Sequence, residues 1–291
     1  MTSAGDVNGD GYGDVVIGEV LATDPLDREG IVRVFLGTPS GLAANPVWTV
    51  HGGQAVAQMG AWMHTAGDIN GDGYDDVLVA APMWDGATVD CGQARLYLGG
   101  VQGVSETPAW TFEGAGTNSH LGTMVAGAGD VNGDGFPDVV IGEPLYSDEG
   151  HPERGRVLLF LGGKAGLSRT SNWQALGPVS YMHFGYVTLG LGDVDGDGLD
   201  DIGVGAPQYT EGKRVHTGTV EVYRGARDGC EDTAAWRAIG IAEDEHLGFG
   251  LAGGDMNGDG VPDLVVAAPS FGDSIRERGL FLAYLGQRSR K

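Results

Sequence analysis

The sequence predicts an all-β fold, a β-propeller built from four-stranded antiparallel blades. The first observation is a loop motif, GDVNGDGYGD in its first copy, which occurs five times along the 291 residues. The second is that the segments between the loops are short, rich in β-branched or aromatic residues, and bounded by glycine or proline, without a helical period. Repeated units of four short strands are typical of the blades of a β-propeller. The first aspartates of the motif lie 62, 62, 63 and 62 residues apart, at Asp6, Asp68, Asp130, Asp193 and Asp255.

We divide the single predicted domain, residues 1–291, into five units. In the third unit, LGTMVAGAG leads into the motif loop and DVVIGEP leaves it. RVLLFLG and a stretch around Trp173 follow. We name these four predicted strands A, B, C and D, and the other units repeat their order. The approximate unit boundaries are 1–52, 53–114, 115–177, 178–240 and 241–291.

Alignment of the units predicts that the first and the last are incomplete. Met1 falls opposite Met63, so the first unit would lack most of strand A. The sequence ends shortly after LFLAYLG, so the last unit would lack strand D. Three explanations remain open: a fragment of a longer propeller, a five-bladed ring with two thin blades, or a chain whose open edges self-associate with another copy.

The composition excludes several functional classes. A net charge of −23 with 17 lysines and arginines argues against a nucleic-acid partner, because phosphates are met by a basic surface. The 54 glycines are too many for a helical protein. No apolar run reads as a membrane span, so we expect no direct membrane insertion. The first residues have neither the charged nor the apolar region of a signal peptide.

The repeated loop carries the donor set of a calcium site. In the third loop, Asp130, Asn132 and Asp134 stand at positions 1, 3 and 5, Phe136 offers a backbone carbonyl at position 7, and Asp138 stands at position 9. Such all-oxygen shells suit Ca²⁺. We therefore expect about five Ca²⁺ ions. The corresponding residues of the other loops are Asp6, Asn8, Asp10, Tyr12 and Asp14; Asp68, Asn70, Asp72, Tyr74 and Asp76; Asp193, Asp195, Asp197, Leu199 and Asp201; and Asp255, Asn257, Asp259, Val261 and Asp263.

Position 12 of the loop separates this site from an EF-hand. An EF-hand needs a bidentate glutamate there, whereas all five loops have a β-branched apolar residue: Ile17, Val79, Ile141, Val204 and Val266. The alternative without a metal is a set of Asx-rich hairpin turns. Against it, three or four carboxylates in one metal-free loop would repel one another. Five Ca²⁺ ions would change the net charge from −23 to about −13.

Each unit resembles an FG-GAP repeat, the blade of the integrin α-subunit N-terminal β-propeller, which also occurs in glycosylphosphatidylinositol-specific phospholipase D. The FG motif is literal at Phe184-Gly185 and the GAP motif at Gly205-Ala206-Pro207, and the other units carry close variants. The resemblance covers essentially the whole chain. It implies that the calcium loops join strands A and B on a lower face. It also implies that the B–C and D–A loops form an upper face, where integrins bind ligands.

Two sets of upper-face residues are candidate ligand contacts. One is an aromatic residue two positions after a proline, and the other is a histidine immediately before strand A. Together they could bind a sugar or respond to pH; alternatively, they pack and cap the tops of the blades. The aromatic residues are Trp84, Tyr146, Tyr209 and Phe271, and the histidines are His120, His183 and His246.

Two further sets are expected to be structural. A tryptophan of strand D recurs once per unit and is expected to pack between adjacent blades. Cys91 and Cys230 are placed on opposite faces, and we expect free thiols. The tryptophans are Trp48, Trp110, Trp173 and Trp236.

The sequence favours a non-catalytic, calcium-binding scaffold for recognition or adhesion. It contains neither GxSxG nor HExxH, and the upper loops vary between units while the strands hardly vary. The resemblance implies a protein or glycan ligand on the face opposite the calcium loops, and a secreted or cell-surface location. Two alternatives remain. One is an accessory or catalytic propeller domain of a secreted hydrolase or lyase acting on glycan or phospholipid. The other is a purely structural assembly module.

Overall fold

The computed structural model describes residues 1–273 and 276–287. Within these ranges it contains strands but no helix, and so no helix that could cross a membrane. Four sheets have four strands, a fifth has three, and three two-stranded hairpins complete the set. All neighbouring strands are antiparallel. The predicted all-β fold of four-stranded units is confirmed.

The first two sheets each run from strand A at one edge to strand D at the other. The first comprises β1 (Thr2–Gly5), β2 (Asp14–Glu19), β3 (Ile31–Phe35) and, after a hairpin of β4 (Gly37–Thr38) and β5 (Gly41–Leu42), β6 (Trp48–His51). The second comprises β7 (Met63–Gly67), β8 (Asp76–Ala81), β9 (Gln93–Tyr97) and β10 (Trp110–Glu113).

The next two sheets repeat this order. The third comprises β11 (Met124–Gly129), β12 (Asp138–Glu143), β13 (Arg156–Phe160) and β14 (Trp173–Leu176). The fourth comprises β15 (Val187–Gly192), β16 (Asp201–Ala206), β17 (Thr219–Tyr223) and, after a hairpin of β18 (Gly225–Ala226) and β19 (Gly229–Cys230), β20 (Trp236–Ile239).

The fifth sheet has strands A, B and C. It comprises β21 (Gly250–Gly254), β22 (Asp263–Ala268) and, after a hairpin of β23 (Gly272–Asp273) and β24 (Arg276–Glu277), β25 (Leu280–Tyr284). No strand D follows within the described part of the chain, in agreement with the prediction. The predicted fifth unit, 241–291, also includes residues 274–275 and 288–291, which lie outside the described residues.

One prediction about strand A is wrong. The first unit was expected to lack most of this strand, yet β1 pairs with β2 from Thr2 onward and is one residue shorter than β7. The sequence interpretation drew strand A too long. In the third unit it began at Leu121, whereas β11 begins at Met124. The intervening Gly122 has φ +85°, and a turn bond from Thr123 N–H to the His120 carbonyl ends the extended backbone there.

The B strands form the most buried layer. Every residue of β8, β12 and β16 is buried. Their sequences DVLVAA, DVVIGE and DIGVGA are accordingly near-continuous apolar runs rather than alternating ones, because neighbouring sheets cover both faces. The middle sheets therefore owe their stability to packing against other sheets.

Successive sheets contact each other through their first strands and through an aromatic pair. β1, β7, β11, β15 and β21 lie side by side in that order. At each of the four junctions the tryptophan of strand D meets a strand-C ring of the next sheet edge to face. The predicted packing role of these tryptophans is confirmed. The pairs, with centroid distances, are Trp48–Tyr97 at 4.8 Å, Trp110–Phe160 at 5.0 Å, Trp173–Tyr223 at 5.0 Å and Trp236–Tyr284 at 4.5 Å.

The FG and GAP motif residues meet across the same junctions. Gly205 opens the GAP motif of the fourth unit, and a Cβ added to it would lie 2.3 Å from the carbonyl oxygen of Gly248. Gly248 occupies the glycine position of FG in the fifth unit and has φ +86°. Larger side chains at Gly205 would therefore push the two sheets apart. Within the part of the chain that is described, no strand pairing joins the fifth sheet to the first.

Both cysteines are buried and unpaired, as predicted. Cys91 lies in the B–C loop of the second unit, and Cys230 ends β19 in the C–D hairpin of the fourth. Burial raises the pKa of the Cys230 thiol, with smaller contributions from Asp201 and Asp138.

Candidate metal centre

Each motif loop connects strand A to strand B of its own sheet, so all five lie at the same end of the sheets, the lower face. The tight antiparallel connection explains why the polar run ends abruptly in an apolar strand. The loops cover residues 6–13, 68–75, 130–137, 193–200 and 255–262.

The carboxylate of the aspartate at position 1 accepts hydrogen bonds from backbone N–H groups later in the same loop. In the third loop, Asp130 Oδ1 accepts a hydrogen bond from the Asp134 N–H at 3.1 Å, and Oδ2 accepts one from the Gly135 N–H at 2.8 Å. The same two bonds occur in the other four loops. Such bonds favour the ionised carboxylate. In the fifth loop, bonds led by that from the Gly260 N–H lower the pKa of Asp255.

Positions 3 and 5 are held together by an amide–carboxylate pair. In the third loop, Asn132 Nδ2 donates to Asp134 Oδ2 at 2.9 Å, and Asn132 Oδ1 accepts from the Asp134 N–H at 2.9 Å. Asp134 Oδ1 in turn accepts from the Phe136 N–H at 3.0 Å. The side-chain pair recurs in every loop with asparagine at position 3. The loop thus fixes its oxygen atoms close together through short-range bonds.

The spacing of these oxygens fits a calcium ion. In the fourth loop, one carboxylate oxygen each from Asp193, Asp195 and Asp197 lies within 4.8 Å of the others. Oxygen ligands 2.3–2.6 Å from a Ca²⁺ ion lie no more than about 5 Å apart. The donor set of this loop therefore matches the ion in both chemistry and size.

Position 9 has a second role that sequence reasoning missed. Asp138 is fully buried, and its two oxygens accept hydrogen bonds from the Val131 N–H at 2.9 Å and the Gly162 N–H at 2.8 Å. The carboxylate thereby ties the motif loop to the end of strand C. The sequence signal that could have revealed this contact is the glycine that ends every strand-C run. The equivalent bonds of Asp14, Asp76, Asp201 and Asp263 measure 2.7–3.0 Å.

Burial makes these position-9 carboxylates costly to ionise without a cation. Desolvation raises the pKa of Asp76, Asp138 and Asp201 to about 7 in each case. For Asp138, the carboxylates of Asp134 and Asp130 add repulsion, while the two backbone bonds act in the opposite direction. A cation in the loop would favour the charged form. The electrostatics of the site therefore fit a bound divalent ion.

The fourth loop differs from the other four in its charge balance. Asp195 replaces the asparagine at position 3, and its Oδ2 lies 2.8 Å from Arg224 Nε. Arg224 follows strand C at a position where the other units carry leucine: Leu36, Leu98, Leu161 and Leu285. The added carboxylate is therefore accompanied by an added guanidinium.

Some neighbouring loops are directly linked. Asp75, at position 8 of the second loop, accepts from the Asp6 N–H at 2.8 Å and donates its own N–H to the Asp6 carbonyl at 3.0 Å. Asp200 and Asp130 repeat this pair of bonds. The third and fifth loops have proline at position 8, which offers no N–H.

The B–C and D–A loops meet at the other end of the sheets, which we call the upper face. Isolated bridges join the end of a B–C loop to the start of the next unit at Gly92 and Leu121, Gly155 and Phe184, and Gly218 and Leu247. The predicted aromatic residues lie here, and three of the four stack on arginines of their own sheets. Distances from the guanidinium carbon to the ring centroid are 4.7 Å for Arg95–Trp84, 4.2 Å for Arg156–Tyr146 and 4.7 Å for Arg237–Tyr209. Phe271 packs against the core of the fifth sheet.

The three predicted histidines share a backbone conformation. His120, His183 and His246 have φ of 52–54°, a left-handed region that histidine tolerates better than most residues. His183 Nε2 lies 2.9 Å from Glu153 Oε2, and the ring of His246 stacks on that of His216 with centroids 5.6 Å apart. Burial lowers the pKa of His120. Each histidine also donates its backbone N–H to a carbonyl oxygen in the B–C loop of the preceding unit.

Sequence comparison identifies related proteins. The FG-GAP repeat family profile matches residues 64–98, 123–160, 184–223 and 247–284, and an FG-GAP-like repeat profile matches residues 4–79. Integrin alpha-8 of Homo sapiens is 31% identical over 232 residues, which are 76% of this chain and 20% of that protein. Integrin alpha-5 of Xenopus laevis is 31% identical over 222 residues, which are 73% of this chain and 20% of that protein. Phosphatidylinositol-glycan-specific phospholipase D of Bos taurus is 31% identical over 210 residues, which are 65% of this chain and 24% of that protein. The match spans about a fifth to a quarter of each relative.

Proposed function

The chain belongs to the FG-GAP repeat family, and from that premise we propose that it is a non-catalytic, calcium-binding β-propeller acting as an extracellular recognition or adhesion scaffold. The observation that carries the calcium proposal is one hydrogen-bonded loop conformation, built around the carboxylate of position 1, that occurs in all five loops. In the fourth loop the carboxylate oxygens also lie at a spacing that suits Ca²⁺. About five ions would be held.

The residues at positions 1, 3, 5, 7 and 9 of each loop would hold the ion. Position 7 would contribute its backbone carbonyl, and the others their side-chain oxygens. The bonds to two backbone N–H groups do not remove position 9 from this set, because a carboxylate offers about four lone pairs. When bound, the ion supplies positive charge that offsets the repulsion among the aspartates.

Chelation tests the calcium proposal. We expect EDTA to lower the melting temperature by many degrees, and Ca²⁺ to restore it better than Mg²⁺. A single site filled at a hundredfold excess over its Kd adds about 2.7 kcal/mol to the free energy of unfolding. In a chain of this size that corresponds to several degrees. An unchanged melting curve after rigorous chelation would contradict the proposal.

We place the ligand, a protein or a glycan, on the upper face. Support comes from a rigid backbone arrangement that carries different side chains in each unit, which is how recognition surfaces are built. A glycan array combined with a product assay tests this. Binding without turnover supports recognition, whereas product formation supports an enzyme.

A second candidate follows from the relatives named phospholipase D. In that case the chain is the accessory or catalytic propeller of a secreted hydrolase. A purely structural assembly role is the third. For the third, the outer face of the fifth sheet supports self-association with a second copy, because Phe281 of β25 is 76% exposed there. The equivalent residues of the other sheets, Val32, Ala94, Val157 and Val220, are fully buried.

A further inference from the structure

Three loop positions meet on the upper face of each of the first four sheets. One belongs to the B–C loop and two belong to the D–A loop that follows in the chain. All of them adopt left-handed backbone conformations, with φ between 47° and 67°. The four sets are Arg28, Val56 and Gln58; Asp90, Asn118 and His120; Glu153, Tyr181 and His183; and His216, Asp244 and His246.

Two backbone hydrogen bonds hold each set together. In the fourth set, the Asp244 N–H donates to the Val215 carbonyl and the His246 N–H to the His216 carbonyl, both at 3.0 Å. The other three sets have the same two bonds, with N···O distances of 2.6–3.3 Å. The backbone frame is therefore constant, and the sequence decides which chemical groups it presents.

The fourth set presents three metal-ligating side chains. His216 Nδ1 lies 3.0 Å from Asp244 Oδ1, and the rings of His216 and His246 are nearly parallel, at 19°. One ligand atom from each of the three residues lies within 4.8 Å of the others. Bonds of about 2.0–2.2 Å to a tetrahedral Zn²⁺ ion place its ligand atoms about 3.3 Å apart. Binding would therefore draw the three ligand atoms closer together than the 4.8 Å within which they lie here.

A hydrogen bond already orients one of the histidines. His246 Nδ1 lies 2.8 Å from the carbonyl oxygen of Asp244, so this ring nitrogen donates its hydrogen there and Nε2 keeps its lone pair. Histidines that bind metals usually donate their second ring N–H to a carbonyl or a carboxylate. The bond thus selects the tautomer that a metal requires.

Two nearby charged side chains, Glu245 and Arg214, are engaged elsewhere. Glu245 is buried, and its Oε2 accepts hydrogen bonds from the N–H groups of Ile241 and Ala242 at 2.6 and 2.9 Å. Arg214 Nη1 donates to the Ile241 carbonyl at 2.8 Å. The carboxylate of Asp244 is 66% exposed, which leaves the cluster open to an ion from solvent.

We propose that His216, Asp244 and His246 form a binding site for Zn²⁺ or a similar first-row transition ion, separate from the calcium loops. Imidazole nitrogen suits zinc, copper and nickel, whereas Ca²⁺ takes oxygen ligands. Three protein ligands leave at least one coordination position for water or for an oxygen atom of another molecule. The site lies on the upper face, at the opposite end of the sheets from the motif loops.

Zinc titration in the presence of saturating calcium tests the proposal. Calcium fills the oxygen sites, so calorimetry should detect one Zn²⁺ per wild-type chain. In His246→Gln and Asp244→Asn the affinity should fall by more than roughly 100-fold, because losing a ligand costs more than losing an outer-shell partner. Both replacement residues occur at the same positions of other sets, as Gln58 and Asn118, so the frame accepts them.

His183→Gln is the matched control, since it changes the equivalent position of the third set. It should leave zinc affinity and stoichiometry unchanged. Melting curves in calcium establish that each variant is folded. Equal zinc affinity in the wild type and His246→Gln, or no zinc uptake by the wild type, overturns the proposal.

A gain-of-site variant tests the same geometry independently. Glu153→His combined with Tyr181→Asp gives the third set, which already contains His183, the donor groups of the fourth. The zinc stoichiometry should rise from one to two per chain. With Co²⁺ as the probe, the visible absorption per chain should double. A stoichiometry that stays at one contradicts the claim that the frame and these three groups suffice.

Discussion

At the scale of single residues, we expect Asp138 to stabilise the fold through its two backbone hydrogen bonds, independently of any ion. Asp138→Asn leaves one acceptor oxygen for two buried backbone donors, Val131 and Gly162. We expect the free energy of unfolding to fall by about 1–3 kcal/mol, the cost of an unsatisfied buried group. Urea denaturation should show this loss both in calcium and in EDTA.

Asp134→Asn is the matched control at position 5. Asparagine there can still accept the Phe136 N–H bond and loses only the exposed bond from Asn132 Nδ2, so we expect little loss in EDTA and a clear loss in calcium. If Asp138→Asn were destabilising only in calcium, the hydrogen bonds to the end of strand C would not explain its effect.

The aspartates supply oxygen donors within their own loop, and those at position 9 also bind the end of strand C. Only the first of these properties could be predicted from the sequence. Oxygen donors at alternate positions are a local pattern, so the motif alone indicates which residues are candidates to hold a cation. The bond from Asp138 to Gly162 joins residues 24 apart in sequence, and its geometry depends on how strand C returns along the sheet. The pairing of Asp195 with Arg224 is equally non-local.

At the scale of elements, the junction between sheets depends on its aromatic pair. Trp110 is 7% exposed, meets Phe160 edge to face, and donates its Nε1–H to the Ser168 carbonyl at 2.9 Å. We expect Trp110→Ala to reduce the free energy of unfolding by about 3–5 kcal/mol, as for other large buried aromatic residues. Guanidinium denaturation measures the change.

Trp62→Ala is the corresponding control, because Trp62 is 46% exposed. Its expected effect is within about 0.5 kcal/mol. Similar losses in both variants would show that the contact between the second and third sheets is not the main source of the effect.

Strands B and C could be predicted well because their apolar runs are long and continuous. Strand A was drawn too long, since Leu121 and Gly122 look like strand residues while the backbone turns there. The two-residue strands of the hairpins, such as β18 and β19, carry no periodic pattern. They lie in the connections between longer strands, from C to D for β4–β5 and β18–β19 and from B to C for β23–β24.

At the scale of the whole molecule, the exposed outer face of the fifth sheet should govern association. If a second copy covers this face, sedimentation velocity should show concentration-dependent association, and Phe281→Ser should reduce it. Exposed Leu42→Ser, in the first unit, is a control that should change nothing. Association that is equal in wild type and Phe281→Ser would contradict the proposed contact.

The row of sheets follows from the sequence, because the repeat fixes the unit and each unit packs on the next. The position of the last sheet relative to the first does not follow from the sequence. It depends on the small rotation between successive sheets, which accumulates along the row and leaves no mark in any single repeat.

The constant frame of the upper face has an evolutionary consequence. Duplication of one unit copies three left-handed positions together with the two hydrogen bonds that fix them. Later substitutions at these positions alter binding chemistry in one unit without disturbing its neighbours, as the range from Arg28, Val56 and Gln58 to His216, Asp244 and His246 illustrates. New specificities can thus arise one blade at a time, while the hydrophobic clusters between neighbouring blades are left intact.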